Sequence, residues 1–371
     1  MGGGLTGCVT AYAFATAGVD VALVEAAQIG RGNGGSAAGW IAEEPGVAFS
    51  ALVKTHGTKA ALRTWQAWRR AALDFAALLR RLDVKCDLEP RSTLTVAITP
   101  DQAARLTVDQ KSRRRAGIDA PFLKAIAIKN EIGVDASLGL RAKDGATIDP
   151  YRACLGIAAA AAKRGALLFE HSPVRKITFG RTAVDVVTAG GTIHADRVVV
   201  ATGMPTPLFA ALARHFWFRS TYLALTEPVP AKVRQQLGRR SATFRDSSDP
   251  PHGVHWVADD RVLIGGGDAA TPAPRLRDKV VVQRTGQLMY ELSTLYPDVS
   301  GVQPAYGWAA DYASTGDGLP RIGPHRNYPH HLFVFGDASH SVTGAYLASR
   351  VLLRHHFDEM DPADDVFGFN G

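Results

Sequence analysis

Three glycines, Gly2, Gly4 and Gly7, open the chain in M-G-G-G-L-T-G-C, and Glu25 closes the apolar run V-D-V-A-L-V-E at 19–25. That spacing suits a dinucleotide. Gly2 permits a tight turn, Gly4 lets backbone amides approach a pyrophosphate, and Gly7 lets the following helix pack closely on a sheet. Leu5 and Thr6 fall in the first turn of that helix, whose N-terminus offers partial positive charge to phosphates. Glu25 stands where a carboxylate accepts hydrogen bonds from ribose hydroxyls, and an acid there favours a ribose without a 2′-phosphate. A second stretch, I-G-R-G-N-G-G-S-A-A-G-W at 29–40, is dense in small residues. Its backbone can lie against a planar ligand, with Arg31 placed to meet a phosphate or a ring carbonyl.

Regular elements must hold these residues. Leu5, Val9, Tyr12 and Ala13 recur at helical spacing, and Gly18 stops the helix. Apolar positions from Leu62 to Leu82 predict a long amphipathic helix over 56–82. S-T-L-T-V-A-I at 92–98 alternates as a strand, residues 100–130 read as helical, and 151–166 form a helix closed by Gly165. D-R-V-V-V-A-T-G at 196–203 and H-L-F-V-F-G-D at 331–337 read as fully buried strands running into glycine turns. Residues 216–310 are mostly strand-like, with a helix around 278–295, and 343–354 form a final helix. A fingerprint of this kind normally follows a buried strand, yet here it begins at residue 2. The expectation is that the first β-strand of the nucleotide domain is missing from the chain, with Met1 at its last position.

With these stretches in place, the run G-G-G-L-T-G…E…I-G-R-G-N-G-G-S-A-A-G resembles the start of the D-amino-acid-oxidase-type family of FAD-dependent oxidoreductases, which includes glycine oxidase, sarcosine oxidase and γ-glutamylputrescine oxidase. V-V-V-A-T-G (198–203), R-V-L-I-G-G-G-D (261–268), D-G-L-P-R-I-G (317–323) and F-G-D-A-S-H-S-V-T-G-A (335–345) extend the similarity, in order, over almost the whole chain. The resemblance implies an α/β fold (α+β mixed). It comprises a discontinuous Rossmann-like FAD-binding domain (1–85, 150–215 and 324–371) and an inserted substrate domain on a large mixed β-sheet (86–149 and 216–323). It also implies oxidation of a C–N bond of an amine or amino-acid derivative to an imine, by hydride transfer to flavin N5.

Carried over by position, Gly32 and Ser36-Ala37-Ala38-Gly39 belong to the flavin-covering stretch, and Val174 lies beside the adenine through its backbone. Ala201, Thr202 and Gly203 turn the chain near the pyrophosphate. Gly336, Asp337, Ser341, Val342 and Thr343 cover the pyrimidine end of the flavin, where backbone amides and the following helix dipole stabilise charge on the reduced ring. Ser339, His340, Tyr312 and Trp40 are the catalytic candidates. The chain departs from its relatives in three places. Tyr312 stands where several carry an Arg that reads a free carboxylate. Ser339 and Ser341 replace glycines, and Ser36 replaces a flavin-linking His. With no cysteine near 313–316 either, the FAD is expected to be non-covalent.

Further wall candidates are Tyr222, His255, Trp256 and Trp308, with Arg219, Arg245 and Arg321 as anion readers. Positioning should dominate such a reaction, because a neutral amine that delivers hydride needs little acid–base machinery. The 371 residues carry a net charge of +7, but the basic residues are scattered, and K-S-R-R-R at 111–115 reads as a solvated helix face. No aromatic-basic groove accompanies the charge, so nucleic acid is not expected as a partner; the resemblance implies a small-molecule amine or amino acid and an electron acceptor. Cys8, Cys86 and Cys154 are far apart, which suits a reducing compartment and makes the cytoplasm the default. His330-His331 and His355-His356 are adjacent pairs without metal-site spacing, and no run is long enough to span a bilayer. The rival reading is a truncated or non-catalytic relative with impaired FAD binding. An NAD-dependent dehydrogenase is disfavoured, since it needs no second loop such as 336–343.

Overall fold

The buried apolar runs form two short parallel pairs, Ala22–Val24 beside Leu167–Phe169 and Val198–Gly203 beside Tyr328–Phe335. Met1 and Gly2 lie between the pairs. The Met1 amine donates to the Val199 carbonyl (2.6 Å), Ala201 N–H donates to the Met1 carbonyl (2.9 Å), and Gly2 N–H donates to the Val24 carbonyl (2.9 Å). The computed structural model describes residues 1–336 and 342–369. Helix Leu5–Thr16 is buried on nearly every side and packs on Pro150–Lys163 and Thr343–Phe357, as its apolar composition requires. Cys8 and Cys154, free and buried, both donate to the Gly3 carbonyl from behind the fingerprint turn (3.5 and 3.6 Å). The Cys154 hydrogen bond and burial hold the Cys8 thiol well above its usual pKa, so it stays protonated.

The largest sheet has eight strands, in the order Pro304–Ser314, Trp217–Thr226, Arg261–Ala270, Gly253–Val257, Ala242–Asp246, Ser92–Ala97, Leu138–Ala142 and Leu123–Lys124. Ala242–Asp246 runs parallel to Ser92–Ala97 and the other neighbours are antiparallel, so the sheet is mixed. Alternation divides strand 217–226 between its two faces. Tyr222 and Ala224 enter a core closed by helix Arg277–Leu295, whereas Thr221 and Leu223 face a cavity on the other side.

Local signals place the helix ends. Thr99 and Gln102 form a capping box around Pro100, and Asp149 caps a helix that starts at Pro150. Three expectations need correction. The long helix runs from Phe49 to Arg81 and is kinked at Gly57, whose φ of +79° lies in the left-handed region. The helical reading of 100–130 breaks at Arg115, and helix resumes over Ala125–Ile132. The basic run 111–115 is not a uniformly solvated face: Lys111, Arg114 and Arg115 are exposed, but Arg113 is buried.

Candidate functional site

The fingerprint turn is built as its glycines allow. Gly2 has φ +101°, and a Cβ there would meet the Ala201 carbonyl oxygen at 2.5 Å. A Cβ at Gly7 would fall 1.8 Å from the Gly2 carbonyl oxygen, so glycine is required where the helix crosses the turn. Gly4 differs. A Cβ there meets nothing within 4 Å and would project into open space beside a cavity that Gly4 lines. Glu25 lines the same cavity, its carboxylate accepting from Gly3 N–H (2.6 Å) and Ala27 N–H (2.9 Å). Each oxygen has a further lone pair for a hydroxyl.

That cavity measures ≈ 650 Å³. It runs from Gly2, Gly4, Leu5, Thr6 and Glu25, past Val174, Ala201, Thr202 and Gly203, under Gly32, Ala37 and Ala38, to Val342 and the sheet wall at Thr221, Leu223, Ala310 and Tyr312. Stretches separated by hundreds of residues thus meet around one volume, within the size range of cofactor sites. Two hydroxyls in its wall, Thr206 Oγ1 and Thr221 Oγ1, are buried without a hydrogen-bond partner. Buried hydroxyls are normally satisfied, so these two can each bond a polar atom of a ligand or a water in the cavity. Neither was singled out in the sequence. Thr206 follows the A-T-G turn within P-T-P, and that adjacency is the signal it offered.

Most other expected residues do not line the cavity. Arg31 is exposed, with its guanidinium 5.4 Å from the centroid of the Tyr151 ring. The Ser36 carbonyl accepts from the Trp308 indole N–H (2.9 Å). Gly39 has φ +77° where a Cβ would strike the Ile148 carbonyl, and its own carbonyl accepts from Ile148 N–H (2.8 Å). Trp40 is buried behind Ala38 and donates to His255 Nδ1 (2.7 Å), and its ring lies against Gly253. Val342 N–H donates to the Trp40 carbonyl (2.7 Å), and Thr343 Oγ1 to the Ala42 carbonyl (2.8 Å). Gly336 has φ +87° at the end of its strand. Asp337, Ser339, His340 and Ser341 lie outside the described residues.

Tyr312 carries the most polar chemistry of the sheet wall. Its hydroxyl donates to Asp268 Oδ2 in a short hydrogen bond, and Arg219 stands opposite it in register. Burial, with the Asp268 charge, pushes the phenol far above its usual pKa, so Tyr312 stays neutral over any working pH. The other Asp268 oxygen is buried without a partner. Tyr312→Phe should therefore cost about 1–3 kcal/mol in urea unfolding, because the carboxylate loses a remaining donor. Asp268→Asn should shrink that loss in a double-mutant cycle, and additive losses would refute the coupling.

The remaining wall and anion candidates are corrected. Tyr222 and Trp256 are buried on the opposite face of the sheet, packed in the core under helix Arg277–Leu295. Arg245 bonds Glu44 and Thr95, and Arg321 pairs with Asp317, so both guanidinium groups serve the scaffold. Among the described residues, no group of His, Cys, Asp and Glu is arranged to hold a metal, and no helix is long and apolar enough to cross a membrane.

The model of the family described as FAD dependent oxidoreductase (DAO) matches residues 1–354. The chain belongs to the DAO family of FAD-dependent oxidoreductases. It is 27% identical over 368 residues to the γ-glutamylputrescine oxidoreductase of Escherichia coli (strain K12), covering 97% of this chain and 84% of that protein. It is 25% identical over 382 residues to the glycine oxidase of Geobacillus kaustophilus, covering 100% and 95%. The crystal structure of glycine oxidase from Geobacillus kaustophilus superposes with a TM-score of 0.80 at 19% identity, covering 100% of this chain and 96% of that one. That of L-proline dehydrogenase from P. horikoshii gives 0.78 at 16%, covering 99% and 95%. At such identity these two structures establish the fold alone. FAD fits the cavity of this DAO-family enzyme on its own geometry. The open space at Gly4 leaves room for a phosphate group, Glu25 keeps acceptor capacity for ribose, and the Thr206 and Thr221 hydroxyls are free to bond polar atoms.

Proposed function

We propose that this FAD-dependent oxidoreductase oxidises a C–N bond of an amine or amino-acid derivative to an imine. The observation that carries this reading is the continuity of one cavity from the fingerprint turn to the wall formed by Thr221, Leu223, Ala310 and Tyr312. The names of the Escherichia coli and Geobacillus kaustophilus relatives, which specify an acylated diamine and an amino acid, support the substrate class. FAD, when bound, supplies flavin N5 as the hydride acceptor.

The chain's own residues do the rest. Gly2, Gly4 and the N-terminus of helix Leu5–Thr16 would hold the pyrophosphate, with Glu25 on the ribose and Val174 beside the adenine. Leu223 and Ala310 exclude water from the reacting end, and Thr221 Oγ1 offers a hydroxyl for orienting an amine. Tyr312, held neutral, presents no charge of its own, which suits an amine more than a free carboxylate. The same reading assigns residues 1–85, 150–215 and 324–371 to FAD and 86–149 and 216–323 to the substrate. It is supported by the parallel pairs falling in the first set and all eight strands of the large sheet in the second.

The test is optical. Purified protein supplied with FAD should show flavin absorption bands, and acid precipitation should release the flavin to the supernatant if the attachment is non-covalent. Anaerobic addition of a panel of amines and amino acids should bleach the bands, and reoxidation by oxygen or by a dye tells oxidase from dehydrogenase. A colourless protein would favour the non-catalytic reading. A flavin that no amine on the panel reduces would refute amine oxidation.

A further inference from the structure

The stretch 31–38 covers the cavity with Gly32, Asn33, Gly34, Ala37 and Ala38. It rests on the fingerprint helix, since a Cβ at Gly34 would come within 3.0 Å of the Leu5 nitrogen. On its outer side it meets strand Pro304–Ser314, the first in the order of the eight-stranded sheet, whose outer backbone groups pair with no other strand among the described residues. Asn33 takes that place. Its Nδ2–H donates to the Asp311 carbonyl (2.5 Å), and its Oδ1 accepts from Asp311 N–H (3.3 Å). One carboxamide thus satisfies both backbone groups of one edge residue, as a neighbouring strand would. Three residues along, the Trp308 indole N–H donates to the Ser36 carbonyl (2.9 Å), making a second tie.

The residue on the other side of the tie is itself anchored. Asp311 Oδ1 accepts from Ser220 Oγ (2.6 Å) and Oδ2 from Arg277 at the start of helix Arg277–Leu295 (2.6 Å). The side chain of Asp311 therefore fixes the strand to its helix, leaving its backbone to hold Asn33. We propose that Asn33 is a latch that fastens the cofactor-covering strap to the substrate wall, so that retention of FAD depends on this one exposed carboxamide. The role needs a donor and an acceptor on one planar group. Aspartate of the same size lacks the donor and would set a carboxylate against the Asp311 carbonyl oxygen. Glycines at 32, 34 and 35 leave the strap free to swing once the latch is undone.

The latch is read from FAD release. Wild-type protein is loaded with FAD and diluted into an excess of the apoprotein of a second, tightly binding FAD enzyme, and the loss of bound flavin is followed by fluorescence. Asn33→Ala should release FAD about tenfold faster and Asn33→Asp faster still. The thermal midpoint of the apoprotein should stay put, because Asn33 is exposed. Trp308→Phe should speed release by itself, and its effect should shrink in the Asn33→Ala background, where the strap is already loose. Release from Asn33→Ala within twofold of wild type, or equal rates for the Ala and Asp variants, would overturn the latch. Wild-type protein that holds no flavin at all would instead refute cofactor binding by this cavity, a separate outcome.

Discussion

Gly4→Val should abolish tight FAD binding while leaving the fold in place. The backbone at Gly4 is extended, with φ −74° and ψ −179°, a conformation that valine adopts readily. The Cβ added there meets no protein atom within 4 Å, so nothing in the apoprotein resists it. Its cost to the apoprotein is that of a poorer helix cap, at most about 1 kcal/mol. The branched side chain fills space that the proposed reading gives to the pyrophosphate beside the first amides of helix Leu5–Thr16. Loss of that approach should raise the FAD dissociation constant at least ~100-fold, or about 2.7 kcal/mol. Gly7→Ala is the contrasting change. Its Cβ would stand 1.8 Å from the Gly2 carbonyl oxygen, so the turn itself must distort. It should lower stability by about 1–3 kcal/mol and lose FAD together. Titration of apoprotein with FAD, followed by flavin fluorescence, separates the two. A Gly4→Val protein that binds FAD as wild type does would remove the pyrophosphate from this turn.

The contrast between these glycines also shows what the sequence makes legible. The spacing of Gly2, Gly4, Gly7 and Glu25 encodes backbone geometry, which is local and can be read one residue at a time. Strands Val198–Gly203 and Tyr328–Phe335 were legible for the same reason, as the apolar runs read at 196–203 and 331–337, since unbroken apolar runs of that length have few other homes. In a strand Thr221 and Tyr222 must part to opposite faces, but the residues alone do not tell which face meets the cavity. That is fixed by helix Arg277–Leu295, which covers the Tyr222 side. Asn33 looked like one small polar residue in a glycine-rich stretch, because its partner is the backbone of Asp311, 278 residues away. Backbone acceptors leave no mark in a sequence.

Arg113 is the plainest case of a partner that decides the outcome, and Arg113→Met should be the most destabilising single change on the scaffold. Within K-S-R-R-R only Arg113 turns inward. Its guanidinium donates from Nε to Asp109 (2.7 Å) and from both terminal nitrogens to Glu44 (2.5 and 3.2 Å), and it lies 4.6 Å from the Trp65 ring centroid. Burial opposes its charge, but Glu44 and Asp109 outweigh that cost and hold its pKa above the usual value. Arg245 adds a second contact to Glu44 (3.2 Å), and Asp109 accepts from Ser50 N–H (2.8 Å), so helix Phe49–Arg81, helix Pro100–Arg115 and the large sheet are tied at one point. Removing the central cation leaves two buried carboxylates with one guanidinium between them. Breaking a buried pair in this way costs about 3–5 kcal/mol. Arg114→Met, at the exposed neighbour, should change stability by less than about 0.5 kcal/mol. The damage should also reach the site, because Glu44 follows strand Trp40–Ile41, whose Trp40 carbonyl anchors Val342 at the cavity wall. Urea unfolding of both variants measures the difference, and salt should leave the Arg113 loss nearly unchanged, since a buried pair is poorly screened. An Arg113→Met protein within 1 kcal/mol of wild type would mean that Arg245 alone suffices to neutralise Glu44.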